Sequence, residues 1–187
     1  NVGINDAIAY GMIEKTRQAF EAQGMSKAPA LDRAKWFVYD TQRRFVQSYG
    51  IHVFDIEREE FNQIFDEVKQ SEGLSSADVK TELSGQAMKR ILDGYRTLVQ
   101  EKGFVIPDDP QDQLLGAIEG VFRSWTDPLA VDYRRYHQLS DQWGTATIVQ
   151  AMVFGNLNET SGTGVAETRT ADGRRQVSGD HKWQAQG

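Results

Sequence analysis

The chain has 187 residues, a formal net charge of −6, 39% hydrophobic and 26% charged residues, and no cysteine. It is long enough to bury a core as one domain or two small ones, and its composition is that of a globular protein. The negative charge argues against a surface for nucleic acid or anionic membranes, and the lack of cysteine excludes disulfides, thiolate metal sites and a cysteine nucleophile. Because neither a membrane-spanning run nor a signal peptide is visible, we expect a cytoplasmic protein with no membrane partner.

The first fifty residues predict two helices joined by a loop. Asn5 or Asp6 is suited to cap the first helix, and the glycine, proline and alanines of residues 23–31 indicate a loop. Residues 32–49 have the second helical pattern, and Gly50 is expected to end it. The aromatic side chains of this second helix are expected in the core.

A more regular amphipathic helix is predicted over residues 55–70. Four apolar side chains recur at helical spacing and are expected on its buried face: Phe61, Ile64, Phe65 and Val68. The acidic side chains of the same segment, Glu59 and Glu60 among them, are expected to form a solvated face.

A longer helix is predicted next. Ser75 and Asp78 have the spacing of a capping box that would open it, and Gly103 would end it. The Ser-Gly pair at residues 84–85 is a point where this helix could bend or break.

Two further helices are predicted after a short connector at residues 104–107. Asp109 followed by Pro110 has the order of an N-cap and a first helical position. Asp127 and Pro128 repeat that order, which predicts a shorter second helix.

After residue 140 the pattern changes to strands, at residues 145–154, 163–169 and 175–178. Residues 156–164 have the composition of a loop, and residues 171–174 that of a tight turn. One interpretation is a β-hairpin of the first two strands in a mixed sheet, with the loop available to a ligand. The other is an ordinary hairpin of the core.

No residue is predicted to be catalytic from its local pattern. The three histidines stand alone, without the spacing of a zinc or catalytic site: His52, His137 and His181. The acidic segment at residues 57–67 offers no convergent set of carboxylates, so no metal site is predicted. The glycines of residues 155–164 lack the spacing and the lysine of a phosphate-binding loop.

Three arginines precede the predicted sheet and are the candidate phosphate contacts: Arg123, Arg134 and Arg135. A guanidinium group matches phosphate oxygens, so these side chains could hold a polyphosphate. The alternative is salt bridging at the surface of an acidic protein. The residues alone leave both interpretations open.

Six short motifs follow one another in register: FRSW at 122–125, YRR at 133–135, GTA at 144–146, VQAMVFGN at 149–156, SGTGVA at 161–166 and TR at 168–169. Together they resemble the nucleotide-binding region of the pyruvate, phosphate dikinase family, whose N-terminal part has an ATP-grasp fold. The resemblance is dense over residues 110–187 and thinner over residues 1–105. Together with the helical patterns of residues 7–103, it predicts an α+β fold with an all-helical subdomain at residues 1–105. At residues 106–187 it implies part of an ATP-grasp-like mixed or antiparallel sheet with flanking helices.

The resemblance also implies a nucleotide site. The family's hinge strand, which gives backbone groups to the adenine edge, matches four residues of this chain: Gln150, Ala151, Met152 and Val153. ATP and magnesium are the cofactors that the family implies, for phosphoryl transfer to a histidine on a separate domain and onward to pyruvate. The implied partners are the remaining domains of the parent enzyme or another chain, and no nucleic acid.

This chain departs from the family pattern in several places. The family's phosphate-contacting lysine lies before the matched segment and its acidic metal ligands lie after it. Glu167 stands where the family has phenylalanine, and residues 181–183 (His-Lys-Trp) replace apolar residues in a strand that is expected to be buried. We therefore expect weak or no ATP binding by the isolated chain and no catalysis.

The function that the resemblance implies is that of a fragment or stand-alone relative of this nucleotide-binding region. The parent reaction converts ATP, pyruvate and phosphate to AMP, phosphoenolpyruvate and diphosphate. Two alternatives stay open. The chain could be a non-enzymatic interaction module that keeps the fold, or part of a phosphoenolpyruvate synthase-like enzyme.

Overall fold

A computed structural model describes residues 2–75, 80–170 and 172–186 of the chain. The chain divides into two compact units, Asn1–Val149 and Gln150–Gly187. The first unit is helical and the second contains a two-stranded antiparallel sheet, which confirms the predicted α+β class. The division into subdomains at residue 105 stays a prediction.

The described part of the first unit contains six α-helices: α1 Asp6–Ala22, α2 Lys27–Phe54, α3 Arg58–Ser71, α4 Gly85–Glu101, α5 Pro110–Arg123 and α6 Pro128–Tyr136. Short 3-10 turns lie at Lys80–Glu82 and Ser124–Thr126. None of the helices in the described ranges is long and apolar enough to cross a membrane.

Two helix caps lie where the sequence predicts them, whereas Asp127 precedes α6 without a side-chain cap bond. The side chain of Asn5 accepts a hydrogen bond from the Ile8 N–H at 2.9 Å at the start of α1. The Asp109 carboxylate accepts one from the Gln111 N–H at 2.7 Å at the start of α5, with proline in the first helical position. Each cap satisfies an N–H group that has no partner inside the helix.

Helix α2 extends beyond the predicted bounds at both ends. The loop predicted over residues 23–31 is wrong beyond residue 26, since Pro29 lies within α2. Proline is tolerated there because the first turn needs no N–H donor. The predicted stop at Gly50 is also wrong, because the helix continues to Phe54 and ends at Asp55, whose φ of 56° is left-handed.

Helix α4 begins at the predicted break. The Ser84 hydroxyl accepts a hydrogen bond from the Ala87 N–H at 3.0 Å, and the helix starts at Gly85. This break shortens the helix that the sequence predicts from residue 75 onward. The predicted capping partner Asp78 lies outside the described residues.

The core of the first unit is built around α2, which packs against α1, α4 and α5. Its buried side chains from α2 include Trp36, Phe37, Val38, Phe45 and Tyr49. Those from α4 include Met88, Ile91, Leu92 and Tyr95. Each large apolar side chain removed from water contributes about 1.5–3 kcal/mol, so this contact is a main source of the unit's stability. Of the five aromatic side chains of α2 that were predicted in the core, Trp36, Phe37, Phe45 and Tyr49 are buried and Tyr39 is half-buried.

Helix α3 buries less of its apolar face than the sequence predicts. Phe61 is fully buried, and its ring meets Tyr95 edge-on at a centroid distance of 4.9 Å. The other three predicted side chains, Ile64, Phe65 and Val68, are half-buried. Glu59 is exposed as expected, whereas Glu60 is half-buried and pairs with Lys102 at 2.6 Å.

A buried ionic cluster lies beside this core. The Asp40 carboxylate is fully buried and accepts hydrogen bonds from Arg43 at 2.6 Å, Arg44 at 3.2 Å and Lys80 at 3.0 Å. Burial alone would raise the pKa of Asp40, but the three cations outweigh it and hold that pKa well below its usual range. Burial lowers the pKa of Lys80 to about 8, against the opposing effect of Asp40.

The second unit holds an antiparallel hairpin of β1, Gly162–Arg169, and β2, Arg175–Trp183. The predicted strands at residues 163–169 and 175–178 are confirmed, and β2 is longer than predicted. The Thr170 N–H donates to the Arg174 carbonyl at 3.0 Å across the turn, where Gly173 has a φ of 83°. Glycine adopts this left-handed conformation without steric cost.

The strand predicted at residues 145–154 is wrong. The segment has no regular secondary structure, and Ile148 and Val153 are 87% and 91% exposed. A strand needs a neighbour to pair its backbone groups, and in the described ranges β1 pairs with β2 instead. The hairpin therefore follows the loop at residues 156–161 rather than enclosing it.

The expectation of a buried strand at residues 181–183 is also wrong. Every residue of β2 is exposed, and Trp183 is 61% exposed. The polar substitutions at His181 and Lys182 therefore carry no burial cost in this chain.

Candidate functional site

The predicted adenine hinge is an exposed, extended segment at the start of the second unit. Gln150, Ala151, Met152 and Val153 have no regular secondary structure, and their side chains are exposed. In the described part of the chain, none of their backbone N–H or C=O groups has a hydrogen-bond partner. An adenine edge needs such free backbone donors and acceptors, so the segment has the groups that the hinge role requires.

The loop after the hinge is held by its own polar contacts. The Asn158 side-chain oxygen accepts hydrogen bonds from the Thr160 N–H at 3.1 Å and from the Ser161 hydroxyl at 2.8 Å. The buried Asn156 oxygen accepts one from the Gln186 amide at 2.8 Å. The bond from Gln186 ties the loop to the residues just after β2, and the bonds to Asn158 hold the loop in a local turn.

Gly155 explains why the loop closes tightly. A Cβ atom at this position would lie 2.2 Å from the Ala185 carbonyl oxygen and 2.6 Å from that of Gly162. Residue 155 must therefore be glycine for structural reasons, because only a residue without a side chain allows this backbone approach.

Arg123 lies at the end of α5 and contacts the end of α2. Its guanidinium donates to the Val53 carbonyl at 2.9 Å and lies 3.9 Å from the Asp55 carboxylate. The carbonyl is one of those that a helix C-terminus leaves without a partner, so Arg123 caps α2 from another helix. Its side chain also lines a cavity of about 380 Å³ between the two helices.

Arg134 is buried inside a local clasp. It donates to the Asp141 carboxylate at 2.7 Å and to the Trp125 carbonyl at 2.7 Å, and its guanidinium lies 3.9 Å from the Trp125 ring centroid. The Trp125 indole N–H in turn donates to the Asp141 carbonyl at 3.3 Å. These contacts engage the guanidinium of Arg134 on several sides and fix the loop after α6.

Arg135 is the most exposed of the three arginines. Its side chain is 77% exposed and forms an ion pair with Asp132 at 3.0 Å, one turn earlier in α6. Such an exposed pair contributes about 0–1 kcal/mol and is easily exchanged for another anion. The structure therefore gives the three arginines three different local roles and does not gather them around one point.

Two arginines that the sequence pattern does not predict as site residues lie opposite each other in the hairpin. Arg169 of β1 is in register with Arg175 of β2. The predicted turn at residues 171–174 is a signal that could have found them, since the residues that flank a hairpin turn face each other.

No metal centre is apparent within residues 2–75, 80–170 and 172–186. In these ranges no three His, Asp or Glu side chains come together to hold an ion. Two of the histidines have aromatic rather than catalytic neighbours: His137 contacts Tyr133, and His181 meets Trp183 edge-on at 5.2 Å.

Comparison with known proteins bears on the hinge. The family model described as "Pyruvate phosphate dikinase, AMP/ATP-binding domain" matches residues 55–184, which include the hinge and all three candidate arginines. The chain belongs to this family. The family membership confirms the resemblance that the six motifs carry, and the ATP-grasp assignment stays a prediction.

Several curated relatives named pyruvate, phosphate dikinase are similar to this chain. It is 37% identical to the pyruvate, phosphate dikinase of Clostridium symbiosum over 190 aligned residues, which cover the whole chain and 20% of that protein. It is 40% identical to that of Rhizobium meliloti over 153 residues, 81% of the chain and 17% of the relative. A maize relative named as chloroplastic is 35% identical over 189 residues, the whole chain and 18% of that protein. The chain thus spans about a fifth of the length of the pyruvate, phosphate dikinases that it matches, and its compartment stays a prediction.

Proposed function

We propose that this chain supplies the adenine-contacting part of the nucleotide site of a pyruvate, phosphate dikinase. The residues that would carry this role are Gln150, Ala151, Met152 and Val153. The main support is the family match over residues 55–184, because it places this segment inside an AMP/ATP-binding domain. The free backbone groups of the segment agree with the role.

The activity that we propose for the whole protein is that of its relatives. ATP, pyruvate and phosphate would be converted to AMP, phosphoenolpyruvate and diphosphate, with a histidine on another domain carrying the phosphoryl group. The contribution of this chain would be to bind and orient the nucleotide, since phosphoryl transfer depends on positioning and charge neutralisation. The partners that this proposal requires are the other domains of the enzyme.

The candidate phosphate contacts differ in how available they are. Arg134 is buried and occupied by Asp141 and Trp125, and one face of Arg123 is used by Val53. Arg135 has an exposed guanidinium with a single exposed partner. We therefore favour Arg135 among the three as a phosphate contact.

Magnesium is usually held by one or two carboxylates together with the phosphates of a nucleotide. The described residues bring no three acidic or histidine side chains together, so magnesium would be held here mainly through the nucleotide. The role that we assign to the chain is accordingly to hold the adenine through its hinge backbone, independently of a metal.

A test of the hinge should remove a backbone donor rather than a side chain. Ala151→Pro deletes one N–H group of the proposed hinge, and Ala146→Pro makes the same change in an exposed position of the same extended segment. We expect AMP, titrated into the millimolar range, to shift the amide NMR signals of residues 150–153. Ala151→Pro should weaken these shifts, whereas Ala146→Pro should leave them unchanged. AMP-induced shifts confined to residues outside the hinge would contradict the assignment. So would an equal reduction of the hinge shifts in Ala151→Pro and Ala146→Pro.

A further inference from the structure

We propose that the turn end of the hairpin is a binding site for a phosphate group, held by Arg169 and Arg175. The proposal is independent of the adenine hinge and of the three arginines of the first unit. It rests on the strand register, on the spare hydrogen-bond donors of the two arginines, and on a cavity that both side chains line.

The strand register brings the two arginines together. Glu167 is paired with Ser178, so an unbroken register would place Arg169 opposite Gln176. The register shifts between Glu167 and Arg169, and Arg169 faces Arg175 instead. Side chains of residues directly opposite each other in an antiparallel pair project on the same face, so the shift brings two guanidinium groups to one side of the sheet.

The face that carries these arginines is positively charged overall. The extra residue of the register shift lies in β2, where Gln176 and Val177 stand opposite the single residue Thr168. Strand β1 keeps its alternation, so Glu167 lies on the same face as Arg169, and pairing with β1 places Asp180 and Lys182 there too. Among the described residues neither carboxylate forms an ion pair with Arg169 or Arg175. Three cations and two carboxylates therefore share this face, and the two arginines stay available to an anion.

The two arginines have spare hydrogen-bond donors. Arg169 donates to the Gly173 carbonyl at 3.3 Å, and among the described residues Arg175 has neither a hydrogen bond nor an ion pair from its side chain. Both line an open cavity of about 400 Å³ together with Thr168, Gln176 and Val177. A cavity of this size can admit a phosphate group with its hydration.

A dianionic oxyanion matches this site better than a carboxylate does. Like charges directly opposite each other destabilise a strand pair, and an ion with two negative charges would offset both. The planar guanidinium forks can each donate two parallel hydrogen bonds to phosphate oxygens. The neighbouring Arg174 differs, because its guanidinium already donates to Asp172 at 2.7 Å in the turn.

Titration of the full chain with inorganic phosphate tests the proposal. We expect phosphate to shift the side-chain Nε signals of Arg169 and Arg175 and the amide signals of residues 168–177, and acetate to do so much more weakly. Arg175→Ala and Arg169→Ala should each weaken phosphate binding by about tenfold or more. Arg174→Ala, the matched control, should change it by about twofold at most.

Two further measurements make the outcome decisive. The amide signals of Val165 and Asp180, which are paired in the hairpin, report whether each variant keeps the sheet. ATP and adenosine distinguish a nucleotide phosphate from free phosphate, since ATP should reproduce the phosphate shifts at the turn and adenosine should not. The proposal would be overturned if phosphate shifted no signal at the turn. It would also be overturned if Arg174→Ala and Arg175→Ala lost equal affinity for phosphate while the hairpin stayed intact.

Discussion

The ring of Phe61 packs directly against the backbone of Gly50. A Cβ atom at residue 50 would lie 2.6 Å from the Phe61 Cζ atom, closer than real side chains approach. Gly50 lies inside α2 and Phe61 lies in the first turn of α3, so this contact fixes how closely the two helices pack. The glycine is therefore a packing residue, although its sequence position suggested a helix stop.

Gly50→Ala should destabilise the protein even though alanine is the better helix former. The gain in helix propensity is about 1 kcal/mol, and forcing an extra methyl group into a packed core costs about 1–3 kcal/mol. Gly11→Ala is the matched control, because Gly11 lies in α1 and an added methyl group there would meet no atom within 4 Å outside its own helix. Urea unfolding should show a lower free energy of unfolding for Gly50→Ala and a slightly higher one for Gly11→Ala. A gain in both variants would mean that Phe61 moves aside without cost.

Phe61→Ala should cost more than any other truncation on α3. Phe61 is fully buried against Tyr95 and Gly50, so its removal leaves a cavity and should cost about 3–5 kcal/mol. Phe65→Ala should cost less, since that ring is only half-buried. Glu60→Ala removes a partly exposed ion pair with Lys102 and should cost at most about 1 kcal/mol. Chemical denaturation of the three variants measures this order, and a larger loss for Phe65→Ala than for Phe61→Ala would refute it.

The buried Asp40 cluster should make stability depend on pH in acid. The folded pKa of Asp40 is lower than its unfolded pKa, so the unfolded state takes up the proton first as the pH falls. The stabilisation is therefore present above about pH 4 and is lost progressively below it. Asp40→Asn should cost about 3–5 kcal/mol at neutral pH, because three cations lose their buried counter-charge.

The measurement is the free energy of unfolding against pH for the wild type and Asp40→Asn. The wild type should lose stability more steeply than the variant below about pH 4. Asp132→Asn is the control, since Asp132 pairs with Arg135 at the surface and should leave both the neutral stability and the acid slope nearly unchanged. Parallel acid slopes for the wild type and Asp40→Asn would show that the cluster does not carry this dependence.

The features that the sequence predicted well are set by neighbouring residues. The Asn5 and Asp109 caps each depend on a side chain within three residues of the N–H group from which it accepts. The turn at Gly173 depends on one left-handed glycine between two short strands. Local propensity contains all of this information, so a single sequence was sufficient.

The features that the sequence missed depend on distant residues. Gly50 lies inside α2, and what excludes a side chain there is the ring of Phe61 on the next helix. The charge of Asp40 is balanced in part by Lys80, forty residues away. The apolar run at residues 145–154 has the composition of a strand but no partner strand in the described part of the chain. Pattern alone could not distinguish these outcomes.

In the candidate site, too, the features that depend on distant residues could not be predicted from local sequence. The hinge at residues 150–153 came from the resemblance and not from a local chemical pattern, and its nucleotide role stays a prediction. For Arg134, the sequence allowed either phosphate binding or salt bridging. The structure shows a clasp with Asp141 and Trp125, which depends on a ring and a carboxylate in two separate loops.

A protein of residues 1–187 should bind ATP weakly and should not turn it over. It has the free backbone of the hinge for adenine, but its described residues gather neither a set of metal ligands nor the three arginines at one point. A hydrogen bond to a charged group contributes about 1.5–3 kcal/mol. A site that lacks two or three of these bonds is therefore weaker by several powers of ten, since each 1.4 kcal/mol is about tenfold.

Calorimetric titration with ATP, with and without magnesium, measures this directly. We expect weak or undetectable heat, little effect of magnesium, and no release of AMP or diphosphate on prolonged incubation. AMP should bind about as weakly as ATP, because the adenine contacts are common to both. A micromolar, magnesium-dependent ATP site would contradict the prediction and would mean that the chain forms its own phosphate cradle. Single alanine variants of Arg123, Arg135 and Arg175 would then locate the phosphate site. Only the variant that lacks a phosphate-contacting arginine should bind ATP more weakly and without dependence on magnesium.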